Sequence, residues 1–219
     1  MKHAPVIIIG MHRSGTTLLA KLLKQAGLWI GNDLIDTWES RFFLNRNEKI
    51  LNAGGGSWAS PECAEAILGH SSLRRALTLE LKQDASSAFC AGYLGLKRYI
   101  KHRSLFNLQE PWGWKEPRTM LLLPLYLDIF PGAKVIHIVR NGVDVAASLA
   151  RREQVRLEQT ILKKSASEKL GALSREYNKE PSFFSLLHNY AISARLRYHP
   201  VEKYRKYGLL PIASTGKGL

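Results

Sequence analysis

The sequence predicts an α/β fold of three layers, with helices on both faces of a central parallel sheet. Three observations carry this expectation. "VIIIG" is a continuous apolar run entering a glycine-spaced loop, and a helix with apolar periodicity follows. "KVIHIV", 134–139, is a second strongly β-branched run that reads as a buried strand, again followed by a helix. Between 112 and 152 the pattern reads strand, helix, strand, helix, which right-handed crossovers join into a parallel sheet. With 219 residues and 45% hydrophobic content, the chain suits one globular domain, 1–219, with a sizeable core.

The elements follow in order. Residues 6–9 read as a buried strand. Residues 16–26 read as a helix whose Leu18, Leu19, Leu22, Leu23 and Ala26 form one apolar stripe, with Gly27 closing it. "LWIG", 28–31, is a candidate short strand. Residues 39–52 read as a helix with Phe42, Phe43, Ile50 and Leu51 inward, and "NAGGGSW", 52–58, as a loop. Ser60 and Pro61 suit the N-cap and first position of another helix. Residues 72–103 read as mostly helical, interrupted near Ser86 or Gly92. "WGWKEPR", 112–118, reads as a strand ending in a polar turn, 119–130 as a helix containing Pro124, and 144–152 as a helix after the 134–139 strand. Beyond 153 the chain looks helical and basic, then irregular from about 208.

Composition narrows the partners. A formal net charge of +14, from 32 Lys+Arg against 18 Asp+Glu, favours anions: nucleic acid, an acidic membrane surface or phosphate-rich small molecules. Much of the excess, such as Arg74, Arg75, Lys97, Arg98, Lys101 and Arg103, is expected on solvated helix faces. There is no nucleic-acid motif. Cys63 and Cys90 stand far apart, without a C-x-x-C pair, so neither a disulfide framework nor a zinc site is expected. No segment reaches membrane-spanning length, and a cytoplasmic location is the expectation. Oligomeric state is not legible.

The chemistry begins in "GMHRSGTT". Gly10 and Gly15 have the spacing of G-x-x-x-x-G-K-[ST], but Thr16 replaces the lysine. A loop between a parallel strand and a helix N-terminus aims backbone N–H groups at one point, and the helix dipole adds positive potential there. Ser14, Thr16 and Thr17 add hydroxyls. In nucleotide triphosphatases the lysine reaches the β- and γ-phosphates while the next Ser/Thr holds Mg²⁺. Here Arg13 supplies charge from another direction, and the 134–139 strand ends at Arg140 rather than at a magnesium-orienting acid. An anion that needs no metal is the expectation; a glycine turn without a ligand is the plain alternative. The overall arrangement is then P-loop NTPase-like, three-layer αβα. Arg140, at the end of a parallel strand, and Ser148, on the next helix, form a candidate second anion site. A surface ion pair and a small packing residue are the alternative reading of those two.

Three segments in this order, "GMHRSGTTLL", "WKEPR" and "FPGAKVIHIVRNGVDVAASLARR", resemble the sulfotransferases that use 3′-phosphoadenosine 5′-phosphosulfate. The likeness is greatest to the bacterial type, and the second and third segments are also similar to tyrosylprotein sulfotransferases. "ESRFFLNRNEKIL…GGSW" resembles a further bacterial segment, so the resemblance covers about residues 5 to 152. It implies that Arg13, Ser14, Gly15, Thr16 and Thr17 hold the 5′-phosphosulfate of this co-substrate. It implies that Arg140 and Ser148 hold its 3′-phosphate, with no metal.

The resemblance also points to a catalytic pair. Glu39, in "ESR" with Arg41, matches the glutamate base of the tyrosylprotein type, with Glu116 and Asp36 in reserve. The alternative for Glu39 is an exposed glutamate at a helix start. Lys115 matches the middle-strand lysine that stabilises charge on the leaving group, and a surface lysine is its alternative. Arg118 either orients this site or pairs with Glu116. His12 and His137 show no ligand spacing and read as structural or surface residues. Trp58, Trp112 and Trp114 read as core more readily than as pocket walls.

After Arg152 the family's further strand and acidic "Y-E-D-L"-like segment are not found, so a truncated, frame-altered or merely divergent end is the expectation. The implied acceptor is a small molecule, carbohydrate or peptide, bound by segments within 32–110 and 153–200. A metal-dependent small-molecule kinase and a non-catalytic nucleotide-binding remnant are the rival readings.

Overall fold

The computed structural model describes residues 3–60, 62–163 and 212–213. Its centre is a parallel sheet. Strand β1 (Val6–Gly10) lies between β2 (Gly113–Lys115) and β3 (Lys134–Val139), and β4 (Ile212–Ala213) flanks β3. Ile8 faces Lys115 on one side, and Gly10 faces Ile138 on the other.

Seven helices accompany the strands among the described residues: α1 (Thr16–Gln25), α2 (Arg41–Ala53), α3 (Glu62–Gly69), α4 (Ser71–Ala85), α5 (Ala91–His102), α6 (Leu123–Ile129) and α7 (Gly142–Lys163). Alternation along β1 divides the layers, because successive side chains of a strand point to opposite faces. Ile7 and Ile9 join a large core with Phe43, Leu51, Tyr93, Trp112, Trp114 and Phe130. Ile8 joins Ala20 of α1 and Leu28 and Ile30 on the other face. A smaller cluster joins Val145 and Leu149 of α7 to Met11 and Trp58. The three-layer α/β arrangement is therefore the one the periodicity predicts.

Several expectations change in detail. In α1, Leu18 and Leu22 are more than half exposed; the helix packs through Leu19, Ala20 and Leu23 instead. Gly27, at φ 94°, follows that helix as expected, and Leu28 N–H reaches back to Leu23 O at 2.9 Å. "LWIG" supplies a single parallel bridge, Trp29 to Trp112, rather than a strand. The 72–103 helix breaks at Ser86, as read, but its second irregularity is Gly95, at φ 69°, not Gly92. The helix expected over 119–130 starts at Leu123, after a 3-10 turn over Pro117–Met120. Pro124 thus sits in its first turn, where a missing N–H costs nothing. In β3 only Val135 is buried, because β4 covers its outer edge for two residues alone among those described. The basic residues are not all idle: Arg74 forks onto Asp128 at 2.8 Å, and Arg98 lies over Trp29 while paired with Glu110.

Helix α7 extends the 144–152 reading to Lys163. Ile212–Ala213 pairs parallel with β3 where irregular chain was expected, and this is a further strand that the sequence pattern did not show. Pro61 and the rest of the chain after 163 lie outside the described residues, including the 164–200 part of the expected acceptor region.

Candidate active site

Strand order 2-1-3 creates a crevice. The chain leaves β1 for a neighbour on one side and β3 for a neighbour on the other, so the connections after β1 and β3 run apart at the C-terminal ends of the strands, where ligands of open α/β sheets bind. The loop after β1 and the residue after β3 both open there.

The loop is shaped by close approach. A Cβ on Gly10 would meet Ile138 O at 2.6 Å and Ser14 Oγ at 2.9 Å, so only glycine lets the loop fold over β3. Ser14 N–H closes a turn onto Met11 O at 3.1 Å. Arg13 and Gly15 adopt φ 68° and 101°, and Gly15 caps α1 without any side-chain hydrogen bond. The first-turn N–H groups of α1 therefore keep their donating capacity for a ligand. Thr16 is buried, and Thr17 Oγ1 donates to Thr37 O at 3.1 Å.

The candidate second anion site touches this loop. Arg13 Nε donates to Ser148 Oγ at 3.0 Å, and Arg140 Nη1 donates to Arg13 O at 3.0 Å. Arg140 also stands 3.9 Å from Asp144, one turn on. Arg13 and Arg140 remain exposed. Residues from the loop, the end of β3 and α7 thus form one cationic corner.

Lys115 and Glu39 form the third part. Lys115 Nζ lies 2.7 Å from Glu39 Oε1, with side chains 3% and 7% exposed. It also donates to Thr37 O at 2.9 Å, so one carbonyl serves both Thr17 and Lys115. Neither residue is a surface group. Glu39 precedes the helix, which begins at Arg41 after the N-cap Ser40. Asp33 explains this shift: its Oδ2 accepts from Phe42 N–H at 2.6 Å and from Ser40 Oγ at 3.3 Å, turning the 33–40 segment inward. Burial pushes the Asp33 carboxyl up, against these hydrogen bonds.

The reserves differ. Glu116 is fully buried and committed: it accepts from Arg118 Nη1 at 2.7 Å, from Thr119 N–H at 3.0 Å and from Asn47 Nδ2. Tyr126 and Trp114 extend this network through Asn47 and Thr119. Its carboxyl is raised by burial, and its role is structural. Arg118 pairs with Glu116 and with Glu48, at 3.0 Å. Asp36 is exposed.

His12, which reads from the sequence as structural or surface, is enclosed beside the loop. Its ring packs edge-on against Trp58, 4.9 Å between centroids, and its Nε2 is enclosed. Burial, then the cations Arg118, Lys115 and Arg152, push its pKa down to about 3. The available signal was its position between the two loop glycines. Trp112 and Trp114 are fully buried core, while Trp58 is half-buried beside the loop. Among the described residues, no group of three His, Cys, Asp or Glu side chains is placed to hold a metal, and no helix is long and apolar enough to cross a membrane.

Comparison with known proteins comes from two sides. A family model described as "Sulfotransferase family" matches residues 5–180. The crystal structure of sulfotransferase STF1 from Mycobacterium tuberculosis H37Rv is similar at 15% identity and a TM-score of 0.34, over 95% of this chain and 68% of that one. Among curated proteins, none matches.

Proposed function

The chain belongs to the sulfotransferase family, and we propose that it moves a sulfuryl group from 3′-phosphoadenosine 5′-phosphosulfate to a hydroxyl or amine acceptor. The observation that carries this reading is the interlocking of Arg13, Ser148 and Arg140. Such a corner beside the loop N–H groups favours a ligand that carries more than one anionic group. The 5′-phosphosulfate and 3′-phosphate of the nucleotide supply them.

Each side chain then has a task. Gly15, Thr16, Thr17 and Ser14 hold the 5′ end through backbone and hydroxyl donors, with Arg13 beside them. Arg140 and Ser148 hold the 3′-phosphate. Lys115 stabilises negative charge on the departing phosphate oxygen. Glu39 takes the proton from the attacking hydroxyl or amine as its bond to sulfur forms. The Lys115–Glu39 contact holds both side chains in place before the substrates arrive. The sulfuryl group carries less negative charge than a phosphoryl group, so these cations serve without a metal. Acceptors of small-molecule, carbohydrate or peptide type all suit this chemistry. The free Cys63 and Cys90 suit a reducing, cytoplasmic setting.

Thermal unfolding tests the donor assignment. The product, 3′-phosphoadenosine 5′-phosphate, should raise the melting temperature through linkage, and Arg140→Ala should remove the rise. Stabilisation by ATP with Mg²⁺ but not by the bisphosphate would instead favour a kinase.

A further inference from the structure

Three buried polar atoms around the loop have no hydrogen-bond partner among the described residues: His12 Nε2, Ser14 Oγ and Arg118 Nε. Ser14 itself is only 8% exposed. Buried polar atoms are nearly always paired, so a cluster of unpaired ones calls for a group that completes it. The three also belong to one place. His12 and Ser14 share the tight turn after β1, and Arg118 follows β2, whose Lys115 is in register with Ile8. Arg118 is the charge that acts most strongly on His12. Both side chains are braced, His12 by Trp58 and Arg118 by Glu116 and Glu48.

Their chemistry selects the missing partner. An arginine Nε–H only donates, a serine hydroxyl donates, and a neutral imidazole donates from Nε2 in one tautomer. Unpaired donors on one turn and on the arginine whose charge acts most strongly on that turn fit a group with several acceptor oxygens around one centre. We propose that His12 is a further catalytic residue, whose Nε2–H donates to an oxygen of the transferring sulfuryl group alongside Arg118 Nε and Ser14 Oγ. This rests on the sulfotransferase reading above and assigns the contacts of the one group that distinguishes the donor from its product.

Neutrality is the useful property of His12. Enclosure and three neighbouring cations hold the imidazole uncharged, so it adds a donor without another positive charge. It does not protonate the leaving phosphate. In the transfer step the acceptor oxygen or nitrogen bonds to sulfur while the sulfur–oxygen bond to the nucleotide phosphate breaks. The electron pair departs on that phosphate oxygen, the acceptor proton passes to Glu39, and His12 neither gains nor loses a proton.

Calorimetric titration of the full chain with 3′-phosphoadenosine 5′-phosphosulfate and, separately, with 3′-phosphoadenosine 5′-phosphate tests this. His12→Ala should weaken binding of the phosphosulfate about tenfold and leave the bisphosphate within about twofold. His12→Gln, whose amide N–H lies near the imidazole Nε2, should recover most of the loss. Equal weakening of both nucleotides would show a purely structural loop role and overturn the proposal, as would no weakening of either. A wild-type chain that binds neither nucleotide would overturn the donor assignment itself.

Discussion

At the scale of single residues, Lys115 and Glu39 bind each other before any substrate arrives. A buried ion pair contributes little net stability, but removing one partner strands the other charge. Lys115→Ala should therefore cost about 3–5 kcal/mol in denaturant unfolding. The double variant Glu39→Gln/Lys115→Met should recover much of that stability while sulfuryl transfer stays abolished, which separates folding from chemistry. His12 carries a pH signature. Its folded pKa of about 3 lies below the unfolded value of 6.5, so between those values the unfolded chain binds the extra proton. Stability should fall as pH drops from about 6.5 toward 3, by at most about 1.4 kcal/mol per unit from this group. His12→Gln should flatten that slope in acid unfolding curves.

Single residues are also where sequence reading was weakest. Glu39 is visible as a candidate from its motif, but as the first residue of a helix it would face water. Asp33 changes this by binding the Phe42 N–H from nine positions away, a distance no local helix-start pattern covers.

At the scale of elements, the 31–41 segment links the loop to the Lys115–Glu39 pair. Ile35 N–H bonds Glu39 O at 3.0 Å, Arg41 N–H bonds Asp33 O at 3.2 Å, and Thr37 O joins Thr17 to Lys115. Asp33→Ala should lower stability by about 1 kcal/mol, as loss of a helix cap does. It should slow transfer more than it weakens bisphosphate binding, since the loop and Arg140 are untouched; parallel rate and calorimetry measurements check this. The strands and helices themselves were largely legible. Continuous β-branched runs mark both strands, though only β1 is buried along nearly its whole length, and Phe42, Phe43, Ile50 and Leu51 all turn inward as their spacing implies. The α1 stripe holds only at Leu19 and Leu23, because Leu18, Leu22 and Ala26 fall on the side that the sheet does not cover.

For the whole molecule, the +14 charge and the exposed Arg13 and Arg140 predict salt-sensitive nucleotide binding. Exposed charges are screened within about 8 Å at physiological ionic strength. Raising salt should weaken bisphosphate affinity in the wild type, and Arg140→Ala should show a shallower dependence in the same titrations.

The sequence by itself determined the parallel α/β class and the glycine-spaced loop, because periodicity, glycine spacing and β-branched runs are local rules satisfied within a turn or a strand; the family was legible only through the resemblance of three motif segments in order. Only the tertiary structure decided that Arg13 meets Ser148 across 135 positions and Lys115 meets Glu39 across 76. Those meetings depend on strand order and register, which bring distant chain segments to one end of the sheet. The same order leaves buried donors of His12, Ser14 and Arg118 without a partner among the described residues.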